Sequence, residues 1–159
     1  MQAGLVKDAD IDIQAYRPSI VFLNGEYWGI HNIREKLSEH YIASNHNVDP
    51  NNIDYLESNS EIIQGDANHY EMLLDFLSTQ DISDPANYEY VKTQMNVENF
   101  MRYQLSQIYF DNTDWPGNNI KYWRPRTQNG QWRWIMFDTD FGFSLYQSTG
   151  YIDNTLQFA

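Results

Sequence analysis

The run DNTDWPGNNIKYWRPRTQNGQWRWIMFDTDFGF, Asp111 to Phe143, decides how the chain is read. Within it, Asn119–Arg124 and Gln131–Phe137 are rich in aromatic and β-branched residues and flank a segment holding Pro125 and Asn129-Gly130. That pattern predicts a β-hairpin closed by a loop longer than the tightest two-residue turn. In an antiparallel pair, the residue entering the first strand lies beside the residue leaving the second. Asn119, at the entrance, is therefore expected near Asp138 and Asp140 at the exit. Asp114 is held just upstream by a turn containing Pro116 and Gly117. Three carboxylates and an amide drawn to one hairpin end repel one another unless a cation lies among them, and such hard oxygen donors suit Mg²⁺ or Mn²⁺.

The spacing inside this cluster adds chemistry. Asp114 followed five positions later by Asn119 matches the Asp and Asn of the kinase catalytic loop H-R-D-x-x-x-x-N, and Asp140-Phe141-Gly142 is a literal D-F-G. In such enzymes the first Asp takes or orients the proton of the attacking hydroxyl, while the Asn and the second Asp hold the metal ions that bridge the nucleotide phosphates. Each tripeptide alone arises by chance in many chains. Their order, their spacing and the hairpin between them make the set more specific than its parts.

Three blocks in order, VFLNGEYWGIHNIREK (Val21–Lys36), NTDWPGNNIKYWR and WRWIMFDTDFGF, resemble the CotH family. These are spore-coat-type proteins, found also in secreted multidomain proteins and regarded as atypical secretory protein kinases. The resemblance implies a diverged kinase-like scaffold and ATP-dependent phosphorylation of Ser or Thr on a protein substrate. It implies Asp114 as the catalytic-loop aspartate, Asn119 as an amide that binds metal and nucleotide, Asp140 as the main metal ligand and Asp138 as a second carboxylate. Glu35, which follows the Asn-Gly hairpin, would be nucleotide-facing or structural.

The chain departs from a complete kinase pattern in one respect. No Gly-rich phosphate loop and no strand with a V-A-I-K-like lysine stands before Val21, and Met1–Ala15 holds Lys7 as its one basic residue. Tyr151–Ala159 stops without a closing element. The expectation is thus an α+β fragment, one domain over 1–159, with a mainly helical C-terminal lobe and two β-hairpins at about 20–33 and 119–137. Most of the nucleotide-covering lobe would be missing, and the fragment is expected to be inactive alone.

At 159 residues with 42% hydrophobic and 16% aromatic content, the chain can bury one sizeable core. A net charge of −12 disfavours nucleic acid, whose binding depends on neutralising phosphates with Lys and Arg, and disfavours anionic membrane surfaces for the same reason. Cysteine is absent, so neither a disulfide framework nor a thiolate metal site exists. No hydrophobic span or signal peptide is visible. The family resemblance places the parent protein outside the cell or at its surface.

Upstream, Ile20–Leu23 and Tyr27–Ile33 flank Asn24-Gly25, which favours a type I′ turn. Gly29 within the second strand suggests close approach of backbone or ligand. A helix is predicted over Glu35–Ser44, where the Glu35 carboxylate meets the positive helix end. Asn45–Asn68, rich in Asn, Asp and Ser with little periodicity, reads as a long loop. Helices follow at about Ala67–Ser78 (stripe Tyr70, Leu73, Leu74, Leu77), after Asp84-Pro85, and from an Asn96 cap. In the last, Val97, Phe100, Met101, Leu105, Ile108 and Tyr109 recur at helical spacing and lead directly to Asp111.

Each candidate also has a plainer role. Asp114 also reads as a turn residue before Trp115-Pro116, Asn119 as a turn-closing amide, and one of Asp138 and Asp140 as a strand-end or turn cap. Trp132 and Trp134 read as core packing. The histidines show no shared zinc spacing; His31 is placed near the site and His40, His46 and His69 at the surface. Two other function classes use the same residues: a non-catalytic surface or assembly protein that keeps the fold, and a metal-dependent hydrolase with water as nucleophile.

Overall fold

The computed structural model describes residues 2–145 and 152–157. A short helix α1 (Gln2–Leu5) leads to strand β1 (Asp12–Ile13) and to a hairpin of β2 (Tyr16–Leu23) and β3 (Glu26–Arg34). Helix α2 (Glu39–His46) and strands β4 (Ile53–Glu57) and β5 (Glu61–Gln64) follow. Three helices, α3 (Asn68–Thr79), α4 (Pro85–Gln94) and α5 (Val97–Tyr109), precede the last strands, β6 (Lys121–Pro125) and β7 (Arg133–Met136). The mixed α+β character and both hairpins match the sequence prediction. Tyr151, Phe158 and Ala159, part of the end read as unclosed, lie outside the described residues.

Five strands form one sheet in the order β1-β7-β6-β4-β5, antiparallel except for the β1–β7 pair. Strand β4 is therefore an inner strand, within the stretch 45–68 where the sequence predicts a loop. The reason for the difference is visible in its burial. Ile53, Asp54, Tyr55 and Leu56 are all buried, so the apolar/polar alternation of a half-exposed strand is absent. Of its two charges Asp54 is internal, accepting from Arg124 Nε at 3.0 Å on the neighbouring strand, while Glu57 at the strand end pairs with Lys121.

The sheet separates two apolar clusters. On one face Leu56, Tyr122, Trp132, Trp134 and Met136 pack with Leu73 of α3, Val91 of α4 and Tyr103 of α5. On the other, Ile53, Tyr55, Trp123 and Ile135 pack with Tyr41 and Ile42 of α2. Burying each such large side chain contributes on the order of 1.5–3 kcal/mol. Trp132 and Trp134 are core residues, as their alternation suggests.

Helix α2 begins four residues later than predicted, because β3 runs on to Arg34. Leu74 is exposed although it falls on the predicted stripe of α3, whereas Tyr70, Leu73 and Leu77 face the core. Helix α5 starts at its predicted cap, the Asn96 side chain accepting from the Asn99 N–H at 3.0 Å. Yet it buries Asn99, Tyr103 and Gln107, while Met101, Leu105 and Tyr109 are exposed. The Asn99 side chain decides this rotation, since its Oδ1 accepts the Trp134 N–H at 2.7 Å and ties the helix to β7. His46 and His69 are half-buried rather than at the surface: His46 lies 3.1 Å from Asp12, and the Trp132 indole donates to His69 Nδ1 at 3.1 Å.

Asp12 anchors the β1 end of the sheet. Its carboxylate accepts from the Trp123 indole at 2.9 Å and lies within 3.3 Å of Arg133. Burial pushes this carboxyl up, but the hydrogen bond and charge of His46, then Arg133 and Trp123, outweigh it and hold the group below its ordinary value. A depressed native pKa means the unfolded chain takes up the proton more readily. The resulting stability is present above the unfolded carboxylate range, about pH 4, and is lost as pH falls through the native value. Urea unfolding across acid pH should show a steep loss for the parent and a flatter one for Asp12→Asn. Equal slopes would remove Asp12 from the acid sensitivity of the fold.

Candidate active site

The loop after α5 is built by buried amides. Gln107, on the last turn of α5, accepts from Asn112 Nδ2 at 2.8 Å, and both residues are fully buried. Asn112 in turn receives the Trp115 N–H on its carbonyl at 3.3 Å, and Trp115 is itself buried. These contacts fix the backbone on either side of Asp114. The Asp114 carboxylate then accepts two amide N–H groups on Oδ2, from Asn119 at 2.6 Å and from Asn118 at 3.2 Å.

Asn119 sits at the entrance of β6, as its sequence position requires. Its Nδ2 also points to the Asp138 carbonyl at 3.4 Å, so the entrance and exit of the hairpin are bridged. Both residues have left-handed backbone, φ 58° for Asn119 and 49° for Asp138. Asn and Asp are among the few non-glycine residues that tolerate this region, and such conformations persist where the surroundings over-determine them. The D-F-G segment is tied to the helix end: the Phe143 N–H donates to the Phe110 carbonyl, and the two rings lie 5.5 Å apart.

Asp138 and Asp140 line an open cleft of about 230 Å³ together with Phe137 and Thr139. The opposite wall comes from β1 and the base of the first hairpin: Ile13, Gln14, Tyr16, Asn32 and Arg34. That hairpin turns at Asn24 and Gly25, both at positive φ as a type I′ turn demands. Gly29 lies beside a register shift opposite Val21 with φ 130°, and no atom stands within 4 Å of where its Cβ would be. Its glycine therefore answers to backbone conformation at the bulge and not to the close approach expected from sequence.

Glu35 does not start a helix. It closes the hairpin base, its N–H donating to the Ala15 carbonyl at 3.1 Å and its carboxylate accepting the Ala15 N–H at 3.0 Å. Gln14 Nε2 donates to the Glu35 carbonyl in the same clasp. These contacts support the structural reading of Glu35, which is not among the residues lining the cleft. His31 is likewise absent from that lining.

The donor chemistry suits a hard divalent cation in one specific way. Among the described residues no group of three or more His, Cys, Asp or Glu side chains is gathered to hold a metal. The Asp114 charge, expected to share a cation, is met instead by the amides of Asn118 and Asn119. Mg²⁺, however, is commonly bound by one or two carboxylates together with substrate phosphates, rather than by an all-protein cage. Asp138 and Asp140, which line the cleft, match that incomplete set, and the Asn119 side chain reaches the Asp138 backbone carbonyl next to it.

Sequence inspection does not find Gln107, Asn112 or Asn32. Buried amides carry no periodic signal, although the Asn112-x-Asp114 spacing is of the kind that closes Asx turns. From sequence Arg34 and Lys36 read either as cations that reach phosphate or, more commonly, as solvated charges, and the fold sets Arg34 on the cleft wall.

A family model described as CotH kinase protein matches residues 1–158 of the chain. No curated protein matches it. Among the described residues, no helix is long and apolar enough to cross a membrane.

Proposed function

The chain belongs to the CotH kinase protein family, and from that premise we propose that it serves metal-dependent transfer of the ATP γ-phosphoryl group to a Ser or Thr hydroxyl of a protein. One observation carries the proposal: the Asn119 amide donates to Asp114 at 2.6 Å and to the Asp138 backbone carbonyl at 3.4 Å, tying the catalytic-loop residues to the hairpin exit, where Asp138 and Asp140 line the cleft. Phosphoryl transfer needs little covalent chemistry from the protein and much positioning and charge stabilisation.

The residues divide that work. Asp114, oriented by Asn118 and Asn119, accepts the proton of the attacking hydroxyl as its oxygen bonds the γ-phosphorus and the bond to ADP breaks. Asp138 and Asp140 would hold Mg²⁺ or Mn²⁺, with Asn119 adding its amide oxygen. The ion supplies neutralisation of the phosphate oxygens when bound. Glu35 keeps the hairpin base, and so the facing wall of the cleft, in place.

A thermal-shift titration with Mg²⁺ and Mn²⁺, with and without ATP, tests this on the chain and on Asp140→Asn. A ligand at 100 times its dissociation constant contributes roughly 2.7 kcal/mol. At about 2–4 °C per kcal/mol for a domain of this size, a rise of several degrees is expected for the parent and its loss in the variant. No shift with either metal and ATP, or equal shifts in both proteins, would overturn the assignment.

A further inference from the structure

The hairpin of β2 and β3 is a two-stranded sheet of its own. Among the described residues, no backbone hydrogen bond beyond its own ladder engages residues 17–33, so both outer edges are open. Its faces are open too: Ile20, Phe22, Tyr27, Trp28, Ile30 and Ile33 are 62–69% exposed. A lone two-stranded hairpin is marginal in water, and apolar surface gathered in this way marks an interaction site.

The two edges are not equivalent. Pro18 takes one N–H out of β2, a common way of blunting a sheet edge. Strand β3 holds no proline and presents its whole length. The longest stretch outside the described residues, 146–151, is shorter than either strand of the hairpin, so it cannot supply a matching third strand.

Strand β3 is complementary to itself. It opens on Glu26 and ends on Arg34. Antiparallel pairing of two copies about Ile30 sets Ile30 against the partner's Ile30. It also sets the Glu26 end against the end that holds the partner's Arg34, twice by symmetry. Trp28, the extra residue at the register shift, offsets these ends by one residue, within reach of an arginine side chain. The charge balance favours the same arm. Arg17, Arg34 and Lys36 outnumber Glu26 and Glu35 there, whereas the chain as a whole carries −12, so two copies meet at the hairpin with least repulsion.

We propose that β3 pairs edge to edge with β3 of a second copy, joining two hairpins into one continuous sheet within an isologous dimer. Cross-strand neighbours then cover the exposed side chains of β3. Because Arg34 lines the cleft, the pairing brings the partner's Glu26 to the cleft rim.

Sedimentation velocity over a wide range of protein concentration tests this on the whole chain and on Ile30→Lys, Glu26→Arg and Arg34→Glu. All three positions are exposed, so the core of each variant should stay folded, as circular dichroism would verify. The parent should sediment as a dimer and Ile30→Lys, which sets two like charges on the symmetry axis, as a monomer. Each single charge reversal should weaken the dimer about tenfold, since it acts at both ends. An equimolar mixture of Glu26→Arg and Arg34→Glu should regain the parent's affinity, because each variant then meets an opposite charge at both ends. A parent that is monomeric at every concentration overturns the proposal and leaves the hairpin to a different polypeptide. A dimer that survives Ile30→Lys, or that the mixture does not restore, is formed by another surface and overturns it equally.

Discussion

Asp114→Asn should lower phosphoryl transfer by about 10²- to 10⁴-fold, the usual contribution of a positioned proton acceptor, while the protein stays folded. The substitution removes the charge and the basic oxygen but keeps an amide oxygen where Asn118 and Asn119 donate at 3.2 and 2.6 Å. The buried Gln107–Asn112 pair that shapes the loop is untouched. The check is the initial rate of label transfer from radiolabelled ATP onto dephosphorylated casein, by a polypeptide in which this domain is joined to a nucleotide-covering lobe, with unfolding midpoints of the domain measured in parallel. A variant that transfers as fast as the parent would take Asp114 out of the chemistry. ATP consumption with release of free phosphate and no labelled acceptor would point instead to a hydrolase using the same carboxylates.

Asp54→Ala should cost about 3–5 kcal/mol, as breaking one half of a buried ion pair does. The carboxylate is nearly inaccessible, accepting from Arg124 Nε at 3.0 Å and the Asp66 N–H at 3.0 Å, with Arg126 at 3.4 Å. Gly65 passes so close that a Cβ there would stand 2.4 Å from Asp54 Oδ1 and from the Ile53 carbonyl, so no side chain at position 65 is placed to fill the space left. Removing the acid leaves the Arg124 guanidinium buried beside an empty acceptor position. The melting temperature should fall by about 2–4 °C per kcal/mol, or roughly 6–20 °C. A double variant, Asp54→Ala with Arg124→Ala, should lose less than the sum of the two single losses because the pair is coupled. A change within about 0.5 kcal/mol, typical of exposed sites, would mean that β4 is not an inner strand.

That strand shows where sequence reading stops. The alternation rule works for a sheet with one wet face, and β4 has none: Ile53 and Tyr55 enter one cluster, Leu56 the other, and Asp54 is matched across the ladder by Arg124. The same limit applies to α5, where apolar spacing selects Met101, Leu105 and Tyr109 and the fold exposes them. Its buried face is chosen by a polar demand, the Trp134 N–H that Asn99 satisfies. At the site, the hairpin register that brings Asn119 to Asp138 is legible, because it follows from strand pairing alone. The meeting of that hairpin with Arg34, more than 80 residues earlier in the chain, is not.

What the sequence by itself determined is the chemistry that acts over a few residues. Asn24-Gly25 makes its turn because both residues accept positive φ. Asp84 caps α4 by accepting the Ala86 N–H at 2.8 Å, Asn96 caps α5 in the same way, and the Asp114-to-Asn119 spacing closes on a 2.6 Å hydrogen bond. Tertiary structure decided which strand lies inside the sheet, which face of α5 is buried, and which of the chain's cations stands over the carboxylate cleft. Those outcomes depend on desolvation and on partners distant in sequence, whose cost and reward exist only once the two faces of the sheet have been covered.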